Sequence, residues 1–308
     1  MKKYALVIGG CSLDITYEEI ENGKFKTKPS RSTPGGKGAN QAVAIARAGQ
    51  NVKMLSRLSG KDTENTETIL NNLKDNGVDT SLIEIDENIG NDISEVYVSK
   101  NGDNDIVRHN GAINSFTTKM IELNEETIKN AEYVIIQMKA PKDFTLKLVD
   151  FCFKNNVKVV LTPCPADKLN IKNEEDKNLI DKVTFITCNE SECLKIFGEV
   201  PEKVVTKYPN KLIVTLGGRG LIYFDGKEII NIPAIFVENV VDTTGAGDTL
   251  CGNFVASLMS GKSIKESLVR GTFASSLKVQ KESAQLGMPT KKQLDSYIKK
   301  YAPLEIKK

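Results

Sequence analysis

The chain contains one histidine, His109, among 308 residues. A histidine-rich metal centre is thereby excluded, and a Ser-His-Asp triad would have to rest on that single ring. Cysteine is sparse as well, with six residues at positions 11, 152, 164, 188, 193 and 251 and no Cys-x-x-Cys pair. Neither a zinc site nor a disulfide framework is indicated, and isolated thiols suit a reducing compartment. Charge of one sign is not in excess: 42 basic residues against 40 acidic ones leave a net charge of +2. Nucleic acid and membrane surfaces are therefore not expected as partners. Long apolar runs are missing too. Nothing approaches the ~18 residues of a membrane-spanning helix. The run from Tyr4 to Ile8 is too short for a signal peptide, and no small-residue cleavage site comes after it. A cytoplasmic location is expected. There is no internal repeat, low-complexity segment or inter-domain linker.

What is present is an alternation of strand-like and helix-like segments. Tyr4 to Ile8, ending in Gly9-Gly10, reads as a buried strand. Gly38 to Gly49 reads as a helix, Val52 to Leu58 as a strand, Asp62 to Asn76 as a helix with Asp62 as N-cap, and Val78 to Asp86 as a strand. From residue 124 the alternation becomes regular, with helices at 124–131, 142–155, 174–181, 189–197 and 201–208 and strands at 133–138, 157–162, 183–187 and 211–216. Strands such as Val157 to Leu161 are continuous apolar runs, as in a sheet covered on both faces. A parallel α/β sheet is implied. Leu221 to Ile232, turned at Asp225-Gly226, adds an antiparallel hairpin, and Glu228 to Val241 is β-like. Two other stretches, 15–34 and 92–108, are mixed and polar around turns at Glu21-Asn22-Gly23-Lys24 and Asn101-Gly102-Asp103. They read as two half-exposed hairpins forming a small sheet that stands off the main body.

The stretch Asp242-Thr243-Thr244-Gly245-Ala246-Gly247-Asp248-Thr249 precedes Leu250, Phe254, Val255 and Leu258, which recur at helical spacing. It is a turn feeding a helix N-terminus. The glycines admit a ligand against the main chain, the unpaired N–H groups and helix dipole favour an anion, and Asp248 stands in the same first turn. An anion cradle beside a carboxylate suits phosphoryl transfer; a glycine-rich turn with an acidic helix start is the plainer alternative.

Other polar segments come after strands, where ligands bind in open α/β sheets. Ser12 and Asp14 follow the first strand, and Asp14 either accepts from sugar hydroxyls or caps a turn. Gly35-Gly36-Lys37-Gly38-Ala39-Asn40 opens a helix but lacks the spacing of a P-loop. Its glycines let the backbone approach a ligand and Asn40 can pair with hydroxyls, or it is a tight turn with a capped helix. Asn189 and Glu192 share a helix start, as water-mediated Mg²⁺ ligands or as a capping box. Thr215-Leu-Gly-Gly-Arg-Gly220 ends a strand, and Lys139 follows strand 133–138.

Together these motifs resemble the ribokinase family of carbohydrate kinases over nearly the whole chain. Gly35 to Gln41 and Asp242 to Thr249 are the specific motifs, with Asn189-x-x-Glu192 and Thr215 to Gly220 in support. The resemblance implies one domain spanning 1–308, a three-layer α/β/α fold with a mostly parallel central sheet and a small β-sheet lid, formed by about 15–34 and 91–110. It also implies ATP, Mg²⁺ and transfer of the γ-phosphate to a primary hydroxyl of a sugar. By that resemblance Asp248 is the catalytic base and Gly245, Ala246 and Gly247 the anion hole. Ser12, Asp14, Gly35, Gly36, Lys37, Gly38, Asn40 and Lys139 hold the sugar. Asn189, Thr215, Gly217, Gly218, Gly220, Gly247 and Thr272 line the ATP site, with Glu192 organising Mg²⁺. A K⁺ ion is implied beside the anion hole, on Asp242, Thr244, Lys278, Lys281, Ser283 and Gly287, mostly through backbone carbonyls.

The chain departs from that pattern in places. Ser12 stands where the family has Asn, Lys139 where it has a ribose-binding Glu, and Gly287 where it has a Ser at the cation site; the first lid segment is shorter. D-ribose is the leading acceptor. A nucleoside such as pseudouridine, a ketohexose or a sugar phosphate is the alternative, the last favoured if Arg108 lies near Lys139. A non-catalytic sugar or nucleotide sensor is a rival of another class; a dinucleotide-dependent oxidoreductase would need a G-x-G-x-x-G after the first strand, which is missing. Ile93, Tyr97 and Val107 on the lid strands suggest a homodimer through the lid.

Overall fold

In the computed structural model, which describes residues 3–21, 23–99 and 104–305, strands and helices alternate as expected. The chain opens with β1 (Ala5–Ile8), β2 (Ser12–Glu21), β3 (Lys24–Phe25), β4 (Arg31–Gly35) and α1 (Lys37–Arg47). Then come β5 (Val52–Ser59), α2 (Thr63–Asp75), β6 (Asp79–Asp86), β7 (Asp92–Val98) and β8 (Asn104–His109). Next are α3 (Lys119–Leu123), α4 (Glu125–Lys129), β9 (Tyr133–Gln137), α5 (Lys142–Lys154), β10 (Lys158–Thr162), α6 (Glu174–Lys182) and β11 (Phe185–Asn189). The chain continues through α7 (Glu190–Phe197), α8 (Pro201–Val205), β12 (Leu212–Thr215), β13 (Leu221–Phe224) and β14 (Ile229–Ile232), and ends in α9 (Ala246–Met259), α10 (Ile264–Lys278) and α11 (Lys291–Glu305).

The main sheet has nine strands in the order β14-β13-β12-β11-β10-β9-β1-β5-β6. It is parallel from β12 to β6, and β13 and β14 add the antiparallel edge. Side chains alternate between its faces. Leu6, Ile8, Val134, Ile136, Val159 and Leu161 pack with α3 to α8, whereas Ala5, Val7, Tyr133, Ile135 and Val160 pack with α1, α2, α9 and α10. Helices therefore cover both faces of the sheet, giving three layers, and the apolar runs reflect burial on both sides. The strand order turns at β1, which has β9 on one side and β5 on the other. A crevice at the carboxyl ends of β1 and β9 is thus the place to look for a ligand.

The smaller sheet has five strands, β3-β2-β7-β8 with β4 also on β2. Parallel pairing of β2 with β7 joins the two hairpins into one sheet. Tyr97 stacks on Tyr17 at 5.2 Å and meets Phe25 edge-on at 5.1 Å, so its ring is half-buried rather than free, as is Ile93; Val107 is exposed on the edge strand β8.

Several local expectations are corrected. The first small-sheet segment has three strands, not two, and β2 begins at Ser12, so Ser12 and Asp14 belong to the small sheet itself. The β-like reading of Glu228 to Val241 holds only for Ile229–Ile232; Pro233, which cannot donate to a ladder, ends the strand and no regular element appears until α9. Helix α3 has no signature in the sequence, because its five residues are too few to show a period. Asp62 occupies the N-cap position of α2 without a capping bond; its carboxylate instead accepts from Asn65 and Asn91. Asn22 and the Asn101-Gly102-Asp103 turn lie outside the described residues.

Candidate active site

Helix α9 starts without a side-chain cap. Its N-cap is Gly245, with φ 76°, a conformation open to glycine. A Cβ there would also stand 2.9 Å from the Ala284 carbonyl oxygen. Ala246 N–H donates to Thr243 O, and Thr249 N–H to Gly245 O. The N–H groups of Gly247 and Asp248 lie between these two, in the turn whose donors an α-helix leaves unpaired. Nothing lies within 4 Å of where a Gly247 Cβ would stand, so this end of the helix is open to a ligand. Together with the helix dipole this favours an anion.

Asp248 is nearly buried, at 5 % exposure, and its carboxylate is held from both sides. Asn40 Nδ2 donates to Oδ2 at 3.0 Å and Gln41 Nε2 to Oδ1 at 3.0 Å. These donors are themselves oriented. Gln137 Nε2 donates to Gln41 Oε1 at 2.8 Å, Gln285 Nε2 to Asn40 Oδ1 at 2.9 Å, and Asn72 Nδ2 to Gln285 Oε1 at 2.6 Å. A chain of amides from helices, a strand and the loop after α10 thus aims one carboxylate. Gly9 has no side chain because a Cβ would meet Gln137 Oε1 at 2.1 Å. Gln41, Gln137 and Gln285 are absent from the site residues expected from sequence; Gln41 closes the Gly35 motif, and that adjacency is the one signal pointing to it.

Lys37 opens α1, and Gly36 before it adopts φ 90° with Gly10 O and Ser12 N each 2.8 Å from a Cβ position. The Asp248 carboxylate does most to hold the Lys37 ammonium above its usual range; burial opposes it, and Cys164 and Glu192 add to it.

The turn of α9 separates two cavities. One, of about 790 Å³, lies between the carboxyl ends of the main sheet and the small sheet; Ser12, Asp14, Gly36, Lys37, Asn40, Lys139, Asp242, Thr244, Gly245, Asp248 and Ser283 line it, with Arg108. Burial raises the Asp14 carboxyl, while a hydrogen bond from Ser94 and the charges of Lys139 and Arg108 pull it back. Burial likewise raises Asp92, and again Lys139 offsets it first. The positive charge of Lys139 thus acts through space on both carboxylates. The basic side chains on this cavity number five (Arg31, Lys37, Arg108, Lys139, Lys168) and the acidic four (Asp14, Asp242, Asp248, Glu282), so its charge is nearly balanced. Gly35 and Gly38 do not line it. A Cβ on Gly35 would meet Asp14 Oδ2 at 2.7 Å and one on Gly38 the Gly9 backbone at 2.8 Å, so both serve close packing beneath it.

The second cavity, of about 280 Å³, is lined by Thr215, Gly217, Gly218, Gly220, Ala246, Gly247 and Thr272 and walled by Leu221, Ile235, Val240 and Leu250. A polar end at the helix N-terminus and an apolar slot suit a phosphate joined to a flat base. Asn189 and Glu192 line neither cavity. They form a capping box on α7, Glu192 N–H donating to Asn189 Oδ1 at 2.8 Å and Asn189 N–H to Glu192 Oε2 at 2.9 Å. Even so, Glu192 reaches the site electrostatically, acting on Lys37 and Cys164.

Asp242 closes the loop before α9, its Oδ1 accepting Thr244 N–H at 2.8 Å. Burial raises its carboxyl, and Thr244, Lys278 and Ser283 more than offset that, leaving it below the usual carboxylate range. Lys278, Lys281 and Gly287 lie behind this loop, off the cavity.

With this geometry in view, comparison with known proteins is direct. Residues 2–291 match the model of the pfkB family carbohydrate kinases. The chain is 39 % identical to the ribokinase of Lactococcus lactis, covering 86 % of each chain, and 36 % identical to that of Bacillus subtilis, covering 95 % of this chain and 98 % of the other. In three dimensions it matches the ribokinase of Arabidopsis thaliana complexed with ribose and ATP, with a TM-score of 0.85 and 26 % identity over 97 % of this chain and 99 % of that one. A two-cavity site divided by a helix N-terminus suits an ATP-dependent carbohydrate kinase, and the chain belongs to the pfkB family of carbohydrate kinases.

Proposed function

We propose that the protein transfers the γ-phosphate of ATP to the primary hydroxyl of D-ribose, forming ribose 5-phosphate and ADP. The observation that carries this is the partition made by one helical turn. Gly245 and Asp248 face the larger, balanced cavity, and Ala246 and Gly247 face the nucleotide-shaped one. A hydroxyl held by Asp14 and Asn40 lies on the Asp248 side of the turn. Its oxygen attacks the γ-phosphorus, the bond to the β-phosphate oxygen breaks, and the proton passes to Asp248. The N–H groups of Gly245 and Gly247 stabilise the equatorial oxygens, whereas that of Ala246 is taken by Thr243 O. Two of the four acceptor sites of Asp248 are taken by Asn40 and Gln41, which leaves lone pairs for the substrate proton. The γ-phosphate sits near Lys37, whose charge balances that of Asp248 and the phosphates. Thr215, Gly217, Gly218, Gly220 and Thr272 hold the rest of the nucleotide. The small sheet acts as a lid over the sugar within one domain, excluding water from the phosphate.

The donors fit Mg²⁺ brought in with the nucleotide. Among the described residues no three His, Cys, Asp or Glu side chains converge on a metal cage, and Mg²⁺ keeps most of its waters and leans on phosphates plus one or two carboxylates. Glu192, held by its capping box and acting on Lys37 through space, would help to hold that ion, which would supply charge neutralisation at the phosphates. For K⁺ the fit fails. The Asp242 carbonyl already accepts from the Lys278 ammonium at 2.7 Å, and Gly287 offers no hydroxyl.

A sugar phosphate is the second reading, favoured by Lys139 and Arg108 on the cavity wall. The near balance of charge there, with the positive charge of Lys139 acting on Asp14 and Asp92, favours the neutral sugar. A homodimer through β8, an edge strand with Ile106 and Val107 exposed, completes the proposal; a monomer mass by light scattering would contradict it. Coupled ADP release over a panel of ribose, 2-deoxyribose, pseudouridine, fructose and sugar phosphates tests the substrate. Ribose is expected to have the highest kcat/KM. No ADP release with any of them would favour the sensor.

A further inference from the structure

A buried ammonium stands behind the loop that leads into α9. Lys278 ends α10 and its side chain has 0 % exposure. Its Nζ donates to the Asp242 carbonyl oxygen at 2.7 Å and lies 3.8 Å from Asp242 Oδ2. The same loop is stitched to the end of α10 by main-chain bonds, with the N–H groups of Val241 and Asp242 donating to Val279 O at 2.8 and 3.2 Å. Lysine is almost never fully buried unless paired, and here the pairing is with the residue that begins the anion-cradling turn.

The surroundings are built for this arrangement. The Lys278 carbonyl, which a metal ion would need, accepts Lys281 N–H at 3.1 Å. Across from it, a Cβ on residue 287 would stand 2.6 Å from that carbonyl and 3.3 Å from Lys278 Cα, so Gly287 leaves room for Lys278 and supplies no side-chain ligand. Asp242 relays the contact forward, because its Oδ1 holds Thr244 N–H at 2.8 Å, one residue before the N-cap of α9.

We propose that the Lys278 ammonium is the resident monovalent cation of this loop, taking the place of K⁺ and holding the α9 N-terminus in position for the migrating phosphate. Lys278 is then a positioning residue acting through Asp242, and the enzyme needs no added monovalent metal. The inference rests on the kinase reading of the site.

The test compares wild type and Lys278→Ala at equal ionic strength in tetramethylammonium, potassium and ammonium chlorides, monitoring kcat, KM and melting temperature. Wild type is expected to show the same kcat and melting temperature in all three salts. Lys278→Ala is expected to lose kcat by on the order of 10- to 100-fold, as misplacement of a reacting group does, with the sugar KM little changed. K⁺ or ammonium, but not tetramethylammonium, should raise its melting temperature and recover part of its rate. Saturable activation of the wild type by K⁺, or undiminished kcat in Lys278→Ala, would overturn the proposal. Should the variant not fold, the wild-type comparison alone decides. Should no sugar be turned over, the kinase reading falls, while the melting temperatures still report on the cation.

Discussion

Replacing Asp248 by Asn removes a base and little volume, and the hydrogen bonds around it set the consequences. In the wild type each carboxylate oxygen accepts one amide donor, from Asn40 and from Gln41. The new amide can accept from only one of them and turns its own NH₂ toward the other. Relief by flipping Asn40 would break its bond from Gln285, and flipping Gln41 would break its bond from Gln137. One buried donor is left unpaired either way, at about 1–3 kcal/mol of stability. The effect on turnover should be larger. A positioned general base contributes on the order of 10²–10⁴ in rate, which is about 2.7–5.5 kcal/mol of barrier. The nucleotide cavity is lined by Ala246 and Gly247 rather than by Asp248, so ATP affinity should stay within a few-fold. The assay is coupled ADP release for kcat beside calorimetric titration for ATP. Near wild-type turnover in a folded Asp248→Asn protein would refute the reasoning and remove Asp248 from its proposed role.

Three further outcomes rest on the same geometry. Gly247→Ala should fold with an unchanged or slightly raised melting temperature, because nothing lies within 4 Å of the new Cβ and Ala favours a helix by about 1 kcal/mol; its KM for ATP should rise, since the methyl enters the nucleotide cavity. Asp14 has a folded-state carboxyl raised above its ordinary value, chiefly by burial, so its contribution to stability is favourable below the unfolded value and lost as pH rises through the folded one. Asp14→Asn should therefore gain melting temperature at pH 7 relative to acid pH while the sugar KM rises sharply, and a loss of melting temperature at pH 7 would contradict this. Glu192→Ala breaks the capping box and should cost about 1 kcal/mol, with a raised KM for Mg-ATP in the kinetics and kcat for sugar reduced less than in Asp248→Asn.

The sheet, its helices and the cradle before α9 were legible in the sequence because each has a local signature: apolar runs for buried parallel strands, helical spacing after Asp248, glycines where the chain turns. Pairing across distance had none. That β2 and β7 run parallel and merge two hairpins into one sheet depends on contacts about 80 residues apart. The amides that hold Asp248 come from residues 40, 41, 72, 137 and 285, and buried Gln and Asn look like any surface amide in a sequence. The same holds for Lys278. In sequence the resemblance marks Lys278 only as a carbonyl of the cation site, its ammonium being ordinary at a helix end, and the burial of that ammonium against Asp242 appears only in the structure. Lys139 changed meaning in the opposite direction: a cation suggestive of an anionic substrate stands on a wall whose charges nearly cancel.

The central claim is that one helical turn passes a phosphate from the nucleotide cavity to a hydroxyl in the sugar cavity. Phosphorus NMR of a reaction containing the enzyme, Mg-ATP and D-ribose tests it most directly. The prediction is that the γ-phosphate resonance is replaced one-for-one by those of ADP and a phosphomonoester on the primary hydroxyl of ribose. Appearance of inorganic phosphate without a sugar ester, or no loss of ATP over the background rate, would contradict it.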